Sequence, residues 1–138
     1  MDLLVHEVIE RVQKAKTKKE KINILKEHET WALKDILMGT FDTSINWNIP
    51  SGAPPYKPAL PESVPSNLIS RNKDFRYFVE GGPGSKMPAF KRENIFIGLI
   101  EAIHPKDAEL VIAMINKKKP TGITRKIVTE AFPDLLED

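Results

Sequence analysis

Hydrophobic positions recur at helical spacing from the start of the chain. Val5, Val8 and Val12 stand three and four residues apart, with charged residues between them. This spacing places the apolar side chains on one face of an amphipathic helix. The pattern predicts a first helix from about Asp2 to Ala15.

Capping signals divide the next residues into two further helices. Thr17, with Glu20 three residues later, fits a capping box, in which the two side chains satisfy free backbone amides at a helix start. Thr30 is predicted to cap a third helix, and Gly39 is predicted to stand at its C-terminal end.

Helical signals return in the second half of the chain. Ser66 is predicted to cap a helix that runs to the glycine-rich turn at 81–84. A strongly apolar helix follows from about Pro88 to Ile103, and Pro105 suits the first position of the next helix. The last predicted helix runs from about Ile123 to Ala131.

A proline-rich segment separates the two halves of the chain. Residues 50–65 contain six prolines, and prolines at this density exclude a regular helix. A long irregular loop, either packed over the core or mobile, is therefore expected there. The prediction for residues 1–138 is one compact all-α domain of six or seven helices with this loop inserted.

Composition narrows the class of protein. The chain is 41% apolar and 29% charged, and its formal net charge is only +2, so any preference for nucleic acid has to come from local clusters of charge. The absence of cysteine excludes disulfides and thiolate metal sites and suits a reducing cytoplasm. No apolar run approaches the roughly 20 residues that span a bilayer. A cytoplasmic protein without a membrane partner is expected.

No catalytic arrangement emerges from the motifs. In the stretch GGPGSK, Ser85 separates Gly84 from Lys86, whereas a phosphate-binding loop requires a glycine directly before its lysine. A turn between two helices is the simpler interpretation. The three histidines, His6, His28 and His104, are isolated in sequence. We therefore predict a protein that is not an enzyme, with no metal site and no cofactor.

Basic residues form three clusters along the chain. Residues 11–26 hold seven basic residues against one acidic residue, and residues 117–126 hold five with no acidic residue. Residues 71–92 hold a looser cluster that includes Phe75 and Tyr77, two aromatics that fit a core better than a base-stacking platform. The alternative for the first cluster is a solubilising face, and for the last a charged, frayed helix end.

The cluster at 117–126 carries the most specific signal for a polyanion. Pro120 ends a helix, Thr121 is predicted to cap the next one, and the amides of Gly122 and Ile123 are predicted to be free for a phosphate oxygen. Such contacts hold DNA by its backbone without reading bases. The predicted DNA-binding residues are Lys117, Lys118, Lys119, Thr121, Gly122, Arg125, Lys126, Lys18, Lys19, Lys91 and Arg92.

Residues 107–136 resemble the end of the N-terminal α-helical DNA-binding domain of ATP-dependent DNA ligases, especially the phage type. Asp107 to Ile115 correspond to an acidic-apolar helix, Gly122 stands at the family's glycine, and Phe132-Pro133-Asp134-Leu135 match its aromatic-Pro-x-Leu close. The order of elements at the beginning is also similar, through Leu3 to Val12, Thr17 to Lys21, Leu33 to Leu37, and Phe41 to Ile49.

The resemblance implies an all-α fold that grips duplex DNA through its phosphates, with that role for Lys117, Gly122, Arg125 and Lys126. This chain departs from the family where Lys118-Lys119 replace an Asp-Leu pair. The stretch PTGITRKIVTEA is also similar to the hairpin of helix-hairpin-helix motifs, although Thr124 stands where the second glycine is usual.

The ligase chemistry has no counterpart in this sequence. A ligase carries adenylate on the lysine of a Lys-x-Asp-Gly motif, and none of the Lys-Asp pairs at 34–35, 73–74 and 106–107 fits that pattern. The resemblance therefore implies a free-standing relative of the DNA-gripping domain, without the catalytic domain.

Two functions from different classes follow. The first is a non-enzymatic accessory protein of DNA replication or repair that binds duplex DNA without sequence specificity, in the host-cell cytoplasm if a phage encodes it. The second is an adaptor that has lost DNA binding and contacts a replication or transcription protein, such as a replication clamp or a polymerase. The low net charge and the proline-rich loop with Tyr56 favour the adaptor. A truncated enzyme is a third alternative.

Overall fold

The computed structural model describes residues 3–138, and within them the chain is built from helices. The seven α-helices are α1 (Val5–Lys14), α2 (Lys18–Glu27), α3 (Trp31–Phe41), α4 (Leu68–Arg71), α5 (Ala89–Ala102), α6 (Pro105–Ile115) and α7 (Arg125–Ala131), and a 3-10 helix spans Asn72–Tyr77. The only strand-like pairings in residues 3–138 are two isolated bridges, Trp47 with Val79 and Leu60 with Ser63. The predicted all-α class and number of helices are confirmed.

Helix α6 lies at the centre of the packing. It contacts α1, α3 and α5, while α2 bridges α1 and α7. The hydrophobic core consists of side chains that are almost fully buried, including Leu37 of α3, Leu99 of α5 and Val111 of α6. Burial of each such side chain stabilises the fold by about 1.5–3 kcal/mol before the entropy of ordering is subtracted.

The predicted helix starts at Thr17 and Thr30 are confirmed by hydrogen bonds. The Thr17 hydroxyl accepts the amide of Glu20, and the Thr30 hydroxyl accepts the amide of Leu33, both at 3.1 Å. Pro105 occupies the first position of α6, as predicted. These helix starts can be predicted from local sequence alone, because a capping side chain bonds only to amides two or three positions ahead.

The predicted end of α1 agrees with the structure to within one residue, because the helix ends at Lys14 and Ala15 is its C-cap, while the predicted start at Asp2 lies outside the described residues. The predicted start and length of the helix after the proline-rich loop are wrong. Asn67, not Ser66, caps α4, because its side-chain oxygen accepts the amide of Ser70 at 2.9 Å. The single helix predicted after Ser66 is instead the short α4 followed by the 3-10 helix.

Gly39 was predicted to end α3, but it lies inside the helix, which continues to Phe41. A Cβ atom at Gly39 would stand 2.5 Å from Cζ2 of Trp47 and 2.6 Å from Sδ of Met114. The Trp47 indole packs across this bare backbone and donates a hydrogen bond to the Gly39 carbonyl at 2.9 Å. The glycine therefore serves close packing rather than termination.

The proline-rich loop is irregular, as predicted, and it is fastened to the helices beneath it. Asn116, just after α6, exchanges two hydrogen bonds with the backbone of Gly52, at 2.7 and 3.1 Å. The amide of Lys57 donates to the carboxylate of Glu101 at 2.7 Å. Tyr56 packs half-buried against the core, and burial, together with Glu109, raises its pKa. In the structure, these contacts hold parts of the loop against the helices.

The glycine-rich stretch at 81–85 is a turn between helices, as the sequence indicated. The Ser85 hydroxyl accepts the amide of Gly81 at 2.6 Å. At Gly84 a Cβ atom would lie 2.0 Å from the carbonyl oxygen of Tyr77, so the backbone segments touch there. None of the helices in residues 3–138 is long and apolar enough to cross a membrane.

Candidate nucleic-acid interface

The first and third basic clusters meet in space. The side-chain amide of Gln13, at the end of α1, donates to the carbonyl of Thr121 at 3.0 Å. The Lys21 ammonium group donates to the carbonyl of Gly122 at 2.7 Å. Helices α2 and α7 pack against each other beside these contacts. Segments about one hundred residues apart in sequence therefore form one surface.

Five exposed lysines lie on the segments that meet at the Thr121–Gly122 turn. We call them the basic face: Lys14, Lys16, Lys19, Lys118 and Lys126. Within residues 3–138 no hydrogen bond or ion pair occupies their ammonium groups. Lys119 is also exposed, and its ammonium group lies 5.6 Å from the centre of the Phe41 ring. The basic face therefore concentrates positive charge on a molecule whose net charge is only +2.

The turn between α6 and α7 differs from the prediction. Thr121 does not cap the last helix; Thr124 does, because its hydroxyl accepts the amide of Ile127 at 3.2 Å. The amide of Ile123, predicted to be free, donates to the carbonyl of Pro120 at 3.2 Å. Gly122 has a φ of +80°, a conformation that glycine adopts without strain. The turn exposes Thr121 and Gly122 beside the lysines.

Lys117 and Arg125, two of the predicted phosphate ligands, have partners inside the fold. The Lys117 ammonium group donates to the carbonyl of Asp42 at 2.8 Å, and the Arg125 guanidinium donates to the carbonyl of Phe41 at 2.7 Å and to the carboxylate of Asp138. Burial lowers the pKa of Lys117, although Asp42 and Asp138 oppose the shift. The hydrogen bond from Arg125 to Asp138 raises the pKa of the arginine.

Two further predicted DNA-binding residues, Lys18 and Lys91, lie on the surface. Lys18 is exposed and paired with Glu130 at 2.8 Å. Lys91 is exposed, but it belongs to the second basic cluster. No hydrogen bond or ion pair among the described residues joins residues 71–92 to the other two clusters. Contacts therefore join the first and third predicted clusters, and none of these contacts includes the second.

Arg92 is a structural residue rather than a surface cation. It is only 8% exposed. Its guanidinium donates to three backbone carbonyls, those of Asn48 at 2.8 Å, Met87 at 3.0 Å and Gly84 at 3.3 Å. Arginine can satisfy several carbonyls at once because its donors are fixed in a planar fork. Arg92 therefore ties the start of α5 to two loops, and we exclude it from the candidate interface.

One polar cluster was not found from the sequence. His6 and Asp107 are joined by an Nδ1–Oδ1 contact of 2.8 Å, and the His6 amide donates to the same oxygen at 2.9 Å. The His104 ring stacks on His6 with centroids 4.4 Å apart. Asp107 is 1% exposed and satisfies an amide that α1 leaves free at its start. These residues fasten α1 to α6, and no local spacing could have revealed them.

No metal centre accompanies this histidine cluster. Within residues 3–138, no group of three or more histidine, aspartate or glutamate side chains is arranged to hold a metal ion. The cluster consists of the Asp107 carboxylate and the rings of His6 and His104. The His104 ring stacks on His6. The arrangement is that of a buried polar contact between helices.

The fold and the site define a small all-α protein with one lysine-rich face. A family model matches residues 8–120, most of the chain, and the protein therefore belongs to DUF6433, a family of unknown function. The match includes the first basic cluster and reaches the end of α6, up to Pro120. No curated protein matches the chain.

Proposed function

We propose that this protein binds duplex DNA through its phosphates, as a non-enzymatic accessory factor of replication or repair. The observation that carries the proposal is the meeting of two basic clusters around the Thr121–Gly122 turn, with five lysines that have no described acidic partner. The resemblance of residues 107–136 to a ligase DNA-binding domain supports the same role. If a phage encodes the protein, the host-cell cytoplasm is its expected location.

The chemistry of the basic face favours binding without sequence specificity. Lysine ammonium groups act as point charges that attract phosphates, and they carry no fixed pattern of donors that would distinguish one base from another. Neutralising phosphates releases condensed counterions, so the affinity has to fall steeply as salt rises. Association through these lysines would position the protein on any duplex.

The direct test is a titration of random-sequence duplex DNA at several salt concentrations. If the five lysines of the basic face each neutralise one phosphate, the logarithm of the association constant falls against the logarithm of salt with a slope of about −4.5. Fluorescence anisotropy of a labelled duplex measures both quantities. An absence of binding at both low and physiological salt would remove the proposal.

A second candidate, the protein adaptor, is favoured by an apolar groove. Trp31 is 70% exposed. The apolar part of the groove beside it is lined by Met38, Phe132, Pro133 and Leu135, and Glu29, Lys34 and Asp134 also line it. The ammonium group of Lys34 lies 4.1 Å from the centre of the Trp31 ring. Exposed tryptophans beside apolar grooves are typical of protein contact sites, because they bury a large area at low entropic cost.

We expect an adaptor to lose its partner on Trp31→Ala and to keep it on Phe90→Ala. Phe90 is a matched control because it is also 70% exposed and lies on a different helix, α5. A pull-down from nuclease-treated lysate measures retention of the partner. Equal recovery by both variants would contradict a role for this groove, and loss of every partner after nuclease would favour the DNA-binding function.

A further inference from the structure

The C-terminal residues fold back onto the turn that follows α3. The carboxylate of Asp138 accepts hydrogen bonds from the amide of Thr43 at 2.7 Å, from the Thr43 hydroxyl and from the Arg125 guanidinium. Three donors of different kinds therefore converge on one carboxylate. Two of them belong to the turn after α3, and the third belongs to the first residue of α7.

The donors are held in place by the surrounding fold. Asp42, which is 1% exposed, accepts the amide of Ser44 through one oxygen and the amide of Glu137 through the other, both at 2.9 Å. Burial raises the pKa of Asp42, but these hydrogen bonds and that of the Ser44 hydroxyl outweigh it and lower the pKa. The second nitrogen of Arg125 is anchored on the Phe41 carbonyl. Neither the threonine amide nor the guanidinium depends on Asp138 for its position.

This arrangement suits an oxyanion in general rather than one carboxylate. A guanidinium, a backbone amide and a hydroxyl are the groups that proteins use to bind phosphate oxygens, and all three are donors without a competing acceptor role here. The hydrogen bonds from Arg125 and Thr43 lower the pKa of Asp138, as they would stabilise any anion in its place. The Arg125 side chain is 41% exposed and that of Asp138 14%. Ion pairs at the surface contribute little net stability, so a polyanion with further contacts can replace the carboxylate.

We propose that Thr43 and Arg125 form an oxyanion site for which Asp138 and a DNA phosphate compete. The C-terminal residues then lower the affinity for DNA by occupying a phosphate position at Arg125, the sequence neighbour of Lys126 of the basic face. This inference rests on the proposed function, because it assigns one more phosphate contact to residues 117–126, the segment that also carries Lys118 and Lys126 of the basic face, and a means of regulating it.

The expected result is that Asp138→Asn raises the affinity for random duplex about threefold to fivefold at low salt, the range of an exposed ion pair. Asp134→Asn is the matched control, because it removes the same charge from an exposed residue of the same tail that has no described side-chain partner. The control is expected to change the affinity by less than about twofold through long-range charge alone. Adding Thr43→Val to Asp138→Asn is expected to remove the gain.

A second measurement reads the site without DNA. On addition of inorganic phosphate to Asp138→Asn, the Thr43 amide resonance is expected to shift and saturate, while in Asp134→Asn it stays in place because Asp138 still occupies the site. If phosphate leaves the Thr43 amide resonance of Asp138→Asn unshifted, the proposed oxyanion site is wrong. The same spectra show whether each variant is folded.

The two proposals fail in different ways. If wild type and both aspartate variants bind duplex equally well, the competition is wrong and the DNA-binding function stands. If none of the three binds duplex at low salt, the DNA-binding function is wrong, and the competition with DNA fails with it.

Discussion

Replacing Lys118 and Lys126 together by glutamate is expected to weaken binding of random duplex DNA by about tenfold or more at low salt. Both side chains are exposed and have no partner among the described residues, so the replacement removes two phosphate contacts and adds two repulsive charges. Each lost contact reduces the slope against salt by about 1. The weakening is expected to be the same for unrelated sequences, since phosphates are identical in all of them.

The matched control is the pair Lys57→Glu and Lys73→Glu. Both residues are exposed, in the proline-rich loop and in the 3-10 helix, and their replacement changes the net charge by the same amount. We expect the control pair to keep most of the wild-type affinity and slope at an ionic strength of about 0.1 M, because neither lysine belongs to the basic face and the Debye length is then only about 10 Å. Equal losses in both pairs would assign the binding to net charge and contradict a localised basic face.

Replacing Arg92 by methionine is expected to destabilise the fold by about 3 kcal/mol or more. Methionine keeps an apolar stem but leaves the carbonyls of Asn48, Met87 and Gly84 without their donor. A buried acceptor left without its charged partner costs about 1–3 kcal/mol; the Gly84 hydrogen bond is buried and those of Asn48 and Met87 are partly buried, and the losses add. Urea denaturation followed by circular dichroism measures the change in the free energy of unfolding.

Lys91→Met provides the control for this variant at the neighbouring position. Lys91 is exposed and has no described side-chain partner, so its replacement is expected to change the free energy of unfolding by no more than about 0.5 kcal/mol. An Arg92→Met protein with the wild-type urea midpoint would show that water can replace the guanidinium at those carbonyls. A large change in the free energy of unfolding for Arg92→Met and a small one for Lys91→Met would show that Arg92 stabilises the fold and Lys91 does not.

Local patterns in the sequence predicted the helices well wherever the determining atoms are near in the chain. Thr17 and Thr30 cap helices through amides three residues ahead, and Pro105 needs only its own backbone angle. Two of the errors fall where either of two nearby residues could cap the same helix. Ser66 and Asn67 are both good caps, as are Thr121 and Thr124, and which one is used depends on where the following helix packs.

Gly39 shows the limit of interpreting a single residue type. A glycine near the end of an apolar helix normally predicts a C-terminal cap, yet here the helix continues to Phe41. The reason lies in Trp47 and Met114, whose side chains occupy the space of a missing Cβ. Met114 is 75 residues away in the chain, so only the packed structure could distinguish close packing from termination.

The DNA-binding role stays a prediction, but the structure changes which residues carry it. The sequence by itself determined the all-α class, most helix boundaries and the presence of two strongly basic segments, because periodicity, capping and charge are local properties. The tertiary structure decided that these two segments meet, that Arg92 is buried, and that Arg125 is held by Asp138. Those outcomes depend on contacts between distant segments, where burial and partners decide whether a cation is free to meet a phosphate.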